Sequence, residues 1–205
     1  MSVAKSVAQA ATNDGLVIKA LTPETWDAFA AMVERHNGIF GGCWCIWFHP
    51  DSAERGQGAE VNRMLKRRYV EEGAAHAALV LDGDRAVAWC EFGTPAELPN
   101  IHHRKDYEAS AAEPPPDYRL TCLFIDKAYR RRGISHLALG GALDLIAQAG
   151  GGVVEGYPQD TSGGVKVGNS FLYNGTRALY ERAGFTYLRP KGKDHTVMRR
   201  VVEPA

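Results

Sequence analysis

The segment Arg130 to Ser135, RRRGIS, stands where an apolar run, Arg119 to Asp126, gives way to a helical pattern that begins at Ser135. A helix that starts directly after a strand aims unpaired amide N–H groups, and the positive end of its dipole, at whatever lies beyond the strand. A phosphate or pyrophosphate suits that position. Gly133 lets the backbone approach phosphate oxygens closely, Ser135 is small in the first turn, and Arg130, Arg131 and Arg132 add positive charge. A basic turn leading into a surface helix would use the same six residues, so the motif alone leaves both readings open.

A second cluster, GGCWCIWFHP, packs Cys43, Trp44, Cys45, Trp47, Phe48 and His49 into seven residues. Rings at this density either pin a loop to the core or wall a pocket for an apolar or cationic small molecule. Structural zinc wants four placed ligands, and Cys43 and Cys45 have no second pair to join, so no metal is expected. The four cysteines, Cys43, Cys45, Cys90 and Cys122, follow no disulfide framework and are expected to be reduced thiols. His102 and His103, next to Arg104 and Lys105, read as a solvated basic face, and His195 opens the last strand pattern.

The elements that must position these residues follow from periodicity. Residues 1–14 lack a pattern and read as a flexible leader; residues 15–205 read as a single domain. Leu16 to Leu21 alternates as a strand, and Thr22-Pro23-Glu24 opens a helix whose stripe is Trp26, Phe29, Met32 and Val33. A loop from Asn37 to Gly58 leads to a second helix, Ala59 to Glu72, with Val61, Met64, Leu65 and Tyr69 inward. Ala77 to Leu81 and Ala86 to Phe92 form a hairpin around Asp82-Gly83-Asp84. Gly93 to Asp117 reads as an excursion without regular structure. The strand Arg119 to Asp126, the helix Ser135 to Ala149 and the strand Val153 to Tyr157 make a right-handed strand-helix-strand unit. A glycine-rich loop, Gln159 to Gly168, precedes a short helix ending at Gly184, and Phe185 to Arg189 with Thr196 to Val202 close the chain. The expected fold is α/β (α+β), a mixed seven-stranded sheet with helices on both faces.

Bulk composition narrows the function classes. Twenty-four basic residues balance 24 acidic ones, which favours neither nucleic acid nor an anionic membrane surface. No apolar run reaches membrane-span length, and the N-terminus lacks a secretory h-region, so a cytoplasmic protein is expected.

The stretch LTCLFIDKAYRRRGIS resembles the acyl-donor motif of the GCN5-related N-acetyltransferases (GNAT), a strand, a charged turn and R/Q-x-x-G-x-G/A opening a helix. Arg130 and Gly133 match it, and Ser135 replaces the usual glycine or alanine. RALYERAGFTYL resembles the family's helix ending in tyrosine, three residues and Gly-Phe, here Tyr180, Gly184 and Phe185. The family's asparagine seven residues before that tyrosine is replaced by Tyr173, with Asn174 following.

The resemblance implies a splayed parallel pair, Arg119 to Asp126 and Val153 to Tyr157, that admits the pantetheine arm of acetyl-CoA. Backbone groups of Leu123 and Ile125 would hold the arm, and amides from Arg131 through Ile134 and Ser135 to His136 would hold the pyrophosphate. An amide at Leu123 or Phe124 would stabilise the oxyanion, and Tyr180 would protonate the leaving thiolate. An alkylammonium acceptor must lose a proton, so a base is needed; Glu91, beside Trp89, and Glu155 are the candidates, with Glu91 favoured. Trp44, Trp47, Phe48, Trp89 and Glu91 would bound the acceptor. The expected activity is direct acetyl transfer from acetyl-CoA to a small-molecule primary amine. A protein or peptide N-acetyltransferase and a non-catalytic acyl-CoA-binding module are the alternatives. A homodimer is expected from strand edges and family habit.

Overall fold

Thr25 organises the first chain reversal: its hydroxyl accepts the Thr22 N–H at 2.8 Å and donates to the Ala20 carbonyl at 2.8 Å. With Pro23 fixing φ, the chain passes through a 3-10 turn, Pro23–Thr25, into helix α1, Trp26–Arg35. Trp26, Phe29, Met32 and Val33 are buried there, as their spacing predicts. This is seen in a computed structural model, which describes residues 10–11, 15–50, 58–110, 114–161, 168 and 172–205.

The remaining helices are α2 (Ala59–Glu71), α3 (Arg104–Ala109), α4 (Ile134–Gln148) and α5 (Arg177–Arg182). The strands are β1 (Ala10–Ala11), β2 (Leu16–Ala20), β3 (His76–Asp82), β4 (Arg85–Gly93), β5 (Tyr118–Ile125), β6 (Gly152–Gly156), β7 (Thr186–Lys191) and β8 (His195–Val202). They form one mixed sheet in the order β1-β2-β3-β4-β5-β6-β8-β7. All seven expected strands are present; the eighth, Ala10–Ala11, adds two residues of the expected leader to the edge, pairing with Ile18 and Val17. No described helix is long and apolar enough to cross a membrane.

Strand alternation splits the core in two. Ala77, Leu79 and Leu81 of β3, with Trp89 of β4, pack under α1, α2 and the loop carrying Trp44 to Phe48. Ala78 and Val80, with Ala88 and Cys90, pack under Ala138, Leu139, Ala142 and Ile146 of α4. Helix α4 lies so close that a Cβ on Gly141 would stand 2.6 Å from Ile18 Cγ2. It ends where the Gly151 N–H bonds the Ile146 carbonyl at 2.9 Å, with Gly151 left-handed at φ 71°.

Two expectations need correction. Met64, expected to face inward from α2, is exposed, because the buried stripe of that helix runs through Asn62, Leu65, Lys66, Tyr69 and Val70. The 93–117 segment, read as irregular, contains α3. Six residues are too few for periodicity to register, and what holds the turn is tertiary: Tyr107 is buried, its hydroxyl donating to Glu155 at 2.7 Å. The 51–57 part of the aromatic loop and most of the glycine-rich loop, 162–167, lie outside the described residues.

Candidate active site

The decisive geometry is a parting of strands. β5 and β6 are paired in parallel only at Tyr118↔Val154, Arg119↔Glu155 and Leu120↔Gly156. β5 then runs on to Ile125 bonded only to β4, and β6 ends. Beyond the last pair, backbone groups on one edge of β5 lose their strand partner. The Leu123 N–H points there, as does the Ile125 carbonyl, which accepts from Arg130 Nε at 3.3 Å. Phe124, one residue out of phase, directs its backbone toward β4 opposite Trp89.

At the end of β5 the chain makes a short turn, Lys127–Tyr129, and enters α4 through Gly133, whose φ of 77° is left-handed. Arg131 is left-handed too, at φ 62°. Gly133, at the helix N-cap, has no side chain to cap with, so the first-turn amides are uncapped among the described residues. A cleft of about 460 Å³ opens on them, lined by Leu123, Phe124, Ile125, Arg130, Arg131, Gly133, Ile134 and Ser135 among the expected residues. These residues fit a pyrophosphate-bearing ligand: a cationic, uncapped helix start at one end and an open strand edge at the other. Two expected contributors are placed otherwise. The His136 amide already bonds the Gly133 carbonyl at 2.9 Å, and its ring accepts from Arg182 Nε at 2.8 Å. Arg132 lies over the Tyr129 ring at 5.0 Å, outside the lining. Phe40, Lys127, Tyr129 and Leu172 line the cleft without having been singled out; the basic run DKAYRRR carried the signal for Lys127.

Tyr180 reaches the parting because Thr176 caps α5, accepting the Leu179 N–H, and so sets the helix against β6. A Cβ on Gly156 would run into the Tyr180 ring, and one on Gly175 would stand 3.4 Å from Leu123 and 3.5 Å from Tyr180. Two glycines thus make room for the phenol beside Leu123. Burial, then the Cys90 and Cys122 thiols, push that phenol well above its ordinary pKa, so it keeps its proton. The neighbouring Asn174 is buried, its Oδ1 unpartnered among the described residues. The Leu123 N–H is held at 2.5 Å by the Tyr173 carbonyl, which stands where an entering ligand carbonyl would bond.

Both candidate bases are buried and occupied. Glu91 is 1% exposed; its Oε1 meets the Lys66 ammonium and lies 3.5 Å from His49 Nε2, and its Oε2 accepts from Thr121 at 2.7 Å. Burial alone would raise its pKa, but Lys66 and His49 outweigh it and hold the carboxyl at about 2. A carboxylate so acidic and so fully bonded is a poor proton acceptor. Glu155 is equally buried, with Arg199 at 2.8 Å on Oε1 and the Tyr107 and Tyr157 hydroxyls at 2.7 and 2.9 Å on Oε2.

The aromatic loop divides between core and site. Trp44 stacks on Trp26 at 6.1 Å, and Trp89 packs between Phe29 at 5.1 Å and Phe124 at 5.0 Å; both are core residues. Phe48 is nearly buried, 6.2 Å from Tyr173. Half-buried Trp47 stacks on His102 at 3.7 Å and 13°. His102, read as part of a solvated basic face, is instead one of these rings. The Cys45 and Cys122 thiols meet at 2.8 Å, tying the loop to β5, and no group of three or more His, Cys, Asp or Glu among the described residues could hold a metal ion.

Solved structures share this architecture. The chain is 13% identical to an acetyltransferase of the GNAT family from Streptococcus agalactiae, covering 95% of this chain and 99% of that one with a TM-score of 0.53. It is 12% identical to a mosquito arylalkylamine N-acetyltransferase-like protein, 5b, covering 91% and 99% with a TM-score of 0.56. It is also 12% identical to the PaiA N-acetyltransferase from Thermoplasma acidophilum, a structure in complex with coenzyme A, covering 91% and 98% with a TM-score of 0.52. No family model matches the sequence, and no curated protein matches it. The fold is therefore that of the GCN5-related N-acetyltransferases.

Proposed function

We propose that the protein is an acyl-CoA-dependent N-acyltransferase that uses acetyl-CoA and transfers the acetyl group directly to a small-molecule amine. The observation that carries this reading is the parting of β5 from β6 beside the uncapped, left-handed start of α4. When bound, the acyl-CoA supplies an acyl group activated as a thioester. The residues of the chain do the rest. The amides of Ile134 and Ser135, with Arg130 and Arg131, bind phosphate oxygens; Leu123 and Ile125 present one N–H and one carbonyl to an extended amide-bearing arm. The Leu123 N–H exchanges the Tyr173 carbonyl for a ligand oxygen, and the bond is stronger where that oxygen carries charge. Tyr180, protonated across the physiological range, donates to the departing sulfur.

A small acceptor is favoured over a peptide because α3 and the Trp47–His102 stack cover the α1/α2 side of the parting. The test is calorimetric titration with CoA, followed by thiol release from acetyl-CoA across a panel of amines and peptides. Binding with turnover of small amines supports the reading. Absence of CoA binding refutes it, and binding without turnover of any acceptor would mark a non-catalytic acyl-CoA-binding module.

A further inference from the structure

Beyond the cofactor cleft, a chain of rings continues on the α1/α2 side of the sheet. Phe40, on the cleft lining, meets Tyr173 at 6.3 Å and Phe124 at 6.5 Å. Tyr173 in turn meets Phe48 at 6.2 Å, His102 at 5.5 Å and His195 at 6.3 Å. His195 differs from the other rings in one respect: both its nitrogens are out of contact with solvent and neither has a hydrogen-bond partner among the described residues. A neutral imidazole has one donor and one acceptor, and leaving both unmet in a folded interior is unfavourable. Among the described residues no group satisfies them, which leaves the imidazole open to a bound ligand.

The surroundings restrict what that is. Lys191, with its ammonium on the His102 carbonyl at 2.9 Å, and His103, 5.9 Å from the His195 ring, are the basic neighbours. The nearby carboxylate, Asp194, is exposed at the β7–β8 turn. Burial first, then Lys191 and His103, depress the imidazole to about 4 and keep it neutral. An alkylammonium, with pKa of about 10.4, would need a carboxylate to bind and unload it. The two carboxylates on the strands beside the parting, Glu91 and Glu155, are already engaged by three groups each.

We infer that this ring-lined surface is the acceptor subsite, that His195 bonds the acceptor nitrogen, and that the acceptor is an arylamine, uncharged at neutral pH. The inference rests on the acyltransferase reading above. The aryl ring is accommodated by Tyr173, Phe48 and the Trp47–His102 stack, and its delocalised lone pair leaves the nitrogen neutral. The acceptor nitrogen forms the new N–C bond as the thioester C–S bond breaks. Its proton passes to His195, while Tyr180 gives the sulfur a proton; the imidazolium loses its proton to water and the phenolate regains one from water only as the products leave and the site opens.

The test uses the full-length protein with acetyl-CoA at pH 7, comparing a para-substituted aniline with the matching phenethylamine by thiol release. The aniline is expected to have a kcat/KM at least about tenfold higher. His195→Gln is expected to lower the aniline kcat/KM by about tenfold or more while changing the CoA dissociation constant less than about twofold. A faster phenethylamine reaction, or unchanged aniline turnover in both His195→Gln and His195→Asn, overturns the inference, the latter meaning that ordered water alone meets the imidazole. Should a variant fail to fold, the substrate comparison in the unaltered protein still decides. Protein that binds no CoA refutes the underlying reading; protein that binds CoA and prefers phenethylamine refutes only this inference.

Discussion

Replacing Glu91 with glutamine separates a structural carboxylate from a catalytic base. The side chain is 1% exposed and bears on the equally buried Lys66 ammonium, with Thr121 donating to its other oxygen at 2.7 Å. Removing one partner of a buried pair leaves an uncompensated charge and costs about 3–5 kcal/mol. With a urea m-value of about 2.5 kcal/mol/M, Glu91→Gln should lower the unfolding midpoint by about 1–2 M. Lys66→Met should cost a similar amount, and the double variant should recover most of it, because both charges then leave together. The acid dependence has a definite sign. The folded carboxyl lies at about 2, below the ordinary 4.5, so its stabilisation is complete above pH 4.5 and is lost as pH falls toward 2. The gap between wild type and Glu91→Gln should therefore narrow over that window. Stability curves and kcat at a permissive temperature are measured on the same preparations. If Glu91→Gln unfolds like wild type while kcat falls by about a hundredfold, the carboxylate is a base and the argument fails.

Three further substitutions test the cofactor side. Gly133→Ala meets no neighbour within 4 Å but must hold φ at 77°, so it should cost about 1 kcal/mol in urea unfolding and weaken CoA binding about tenfold by calorimetry. Gly156→Ala drives a methyl into the Tyr180 ring and should destabilise by about 1–3 kcal/mol, with loss of thiol release even where the protein stays folded. Tyr180→Phe should leave CoA affinity within about twofold while lowering kcat by about a hundredfold, and an unchanged kcat between pH 6 and 9 would remove Tyr180 as proton donor.

What the sequence disclosed and what it withheld follow one physical line. The turn at Arg130 to Ser135 was legible because its geometry is local: a strand end, a glycine that turns left-handed and a helix start lie within a few residues. The burial of Trp26, Phe29, Met32 and Val33 was legible for the same reason, since the helical period operates within one element. The acceptor side is assembled differently. Glu91 sits on a strand whose two faces both bury, so alternation could not reveal that its face carries Lys66, 25 positions away in sequence, and His49. His195 opens a strand, where exposure is the ordinary expectation; its nitrogens are sealed from solvent, and its ring neighbours Tyr173 and His103 come from other segments. The same aromatic richness that marked Trp44 to Phe48 served two ends: Trp44 joined the core with Trp26, and Trp47 joined His102. The proposed donor site is thus written along the chain, whereas the proposed acceptor site is written across it. That asymmetry makes the choice between aniline and phenethylamine a more searching test of the reading than any measurement on coenzyme A.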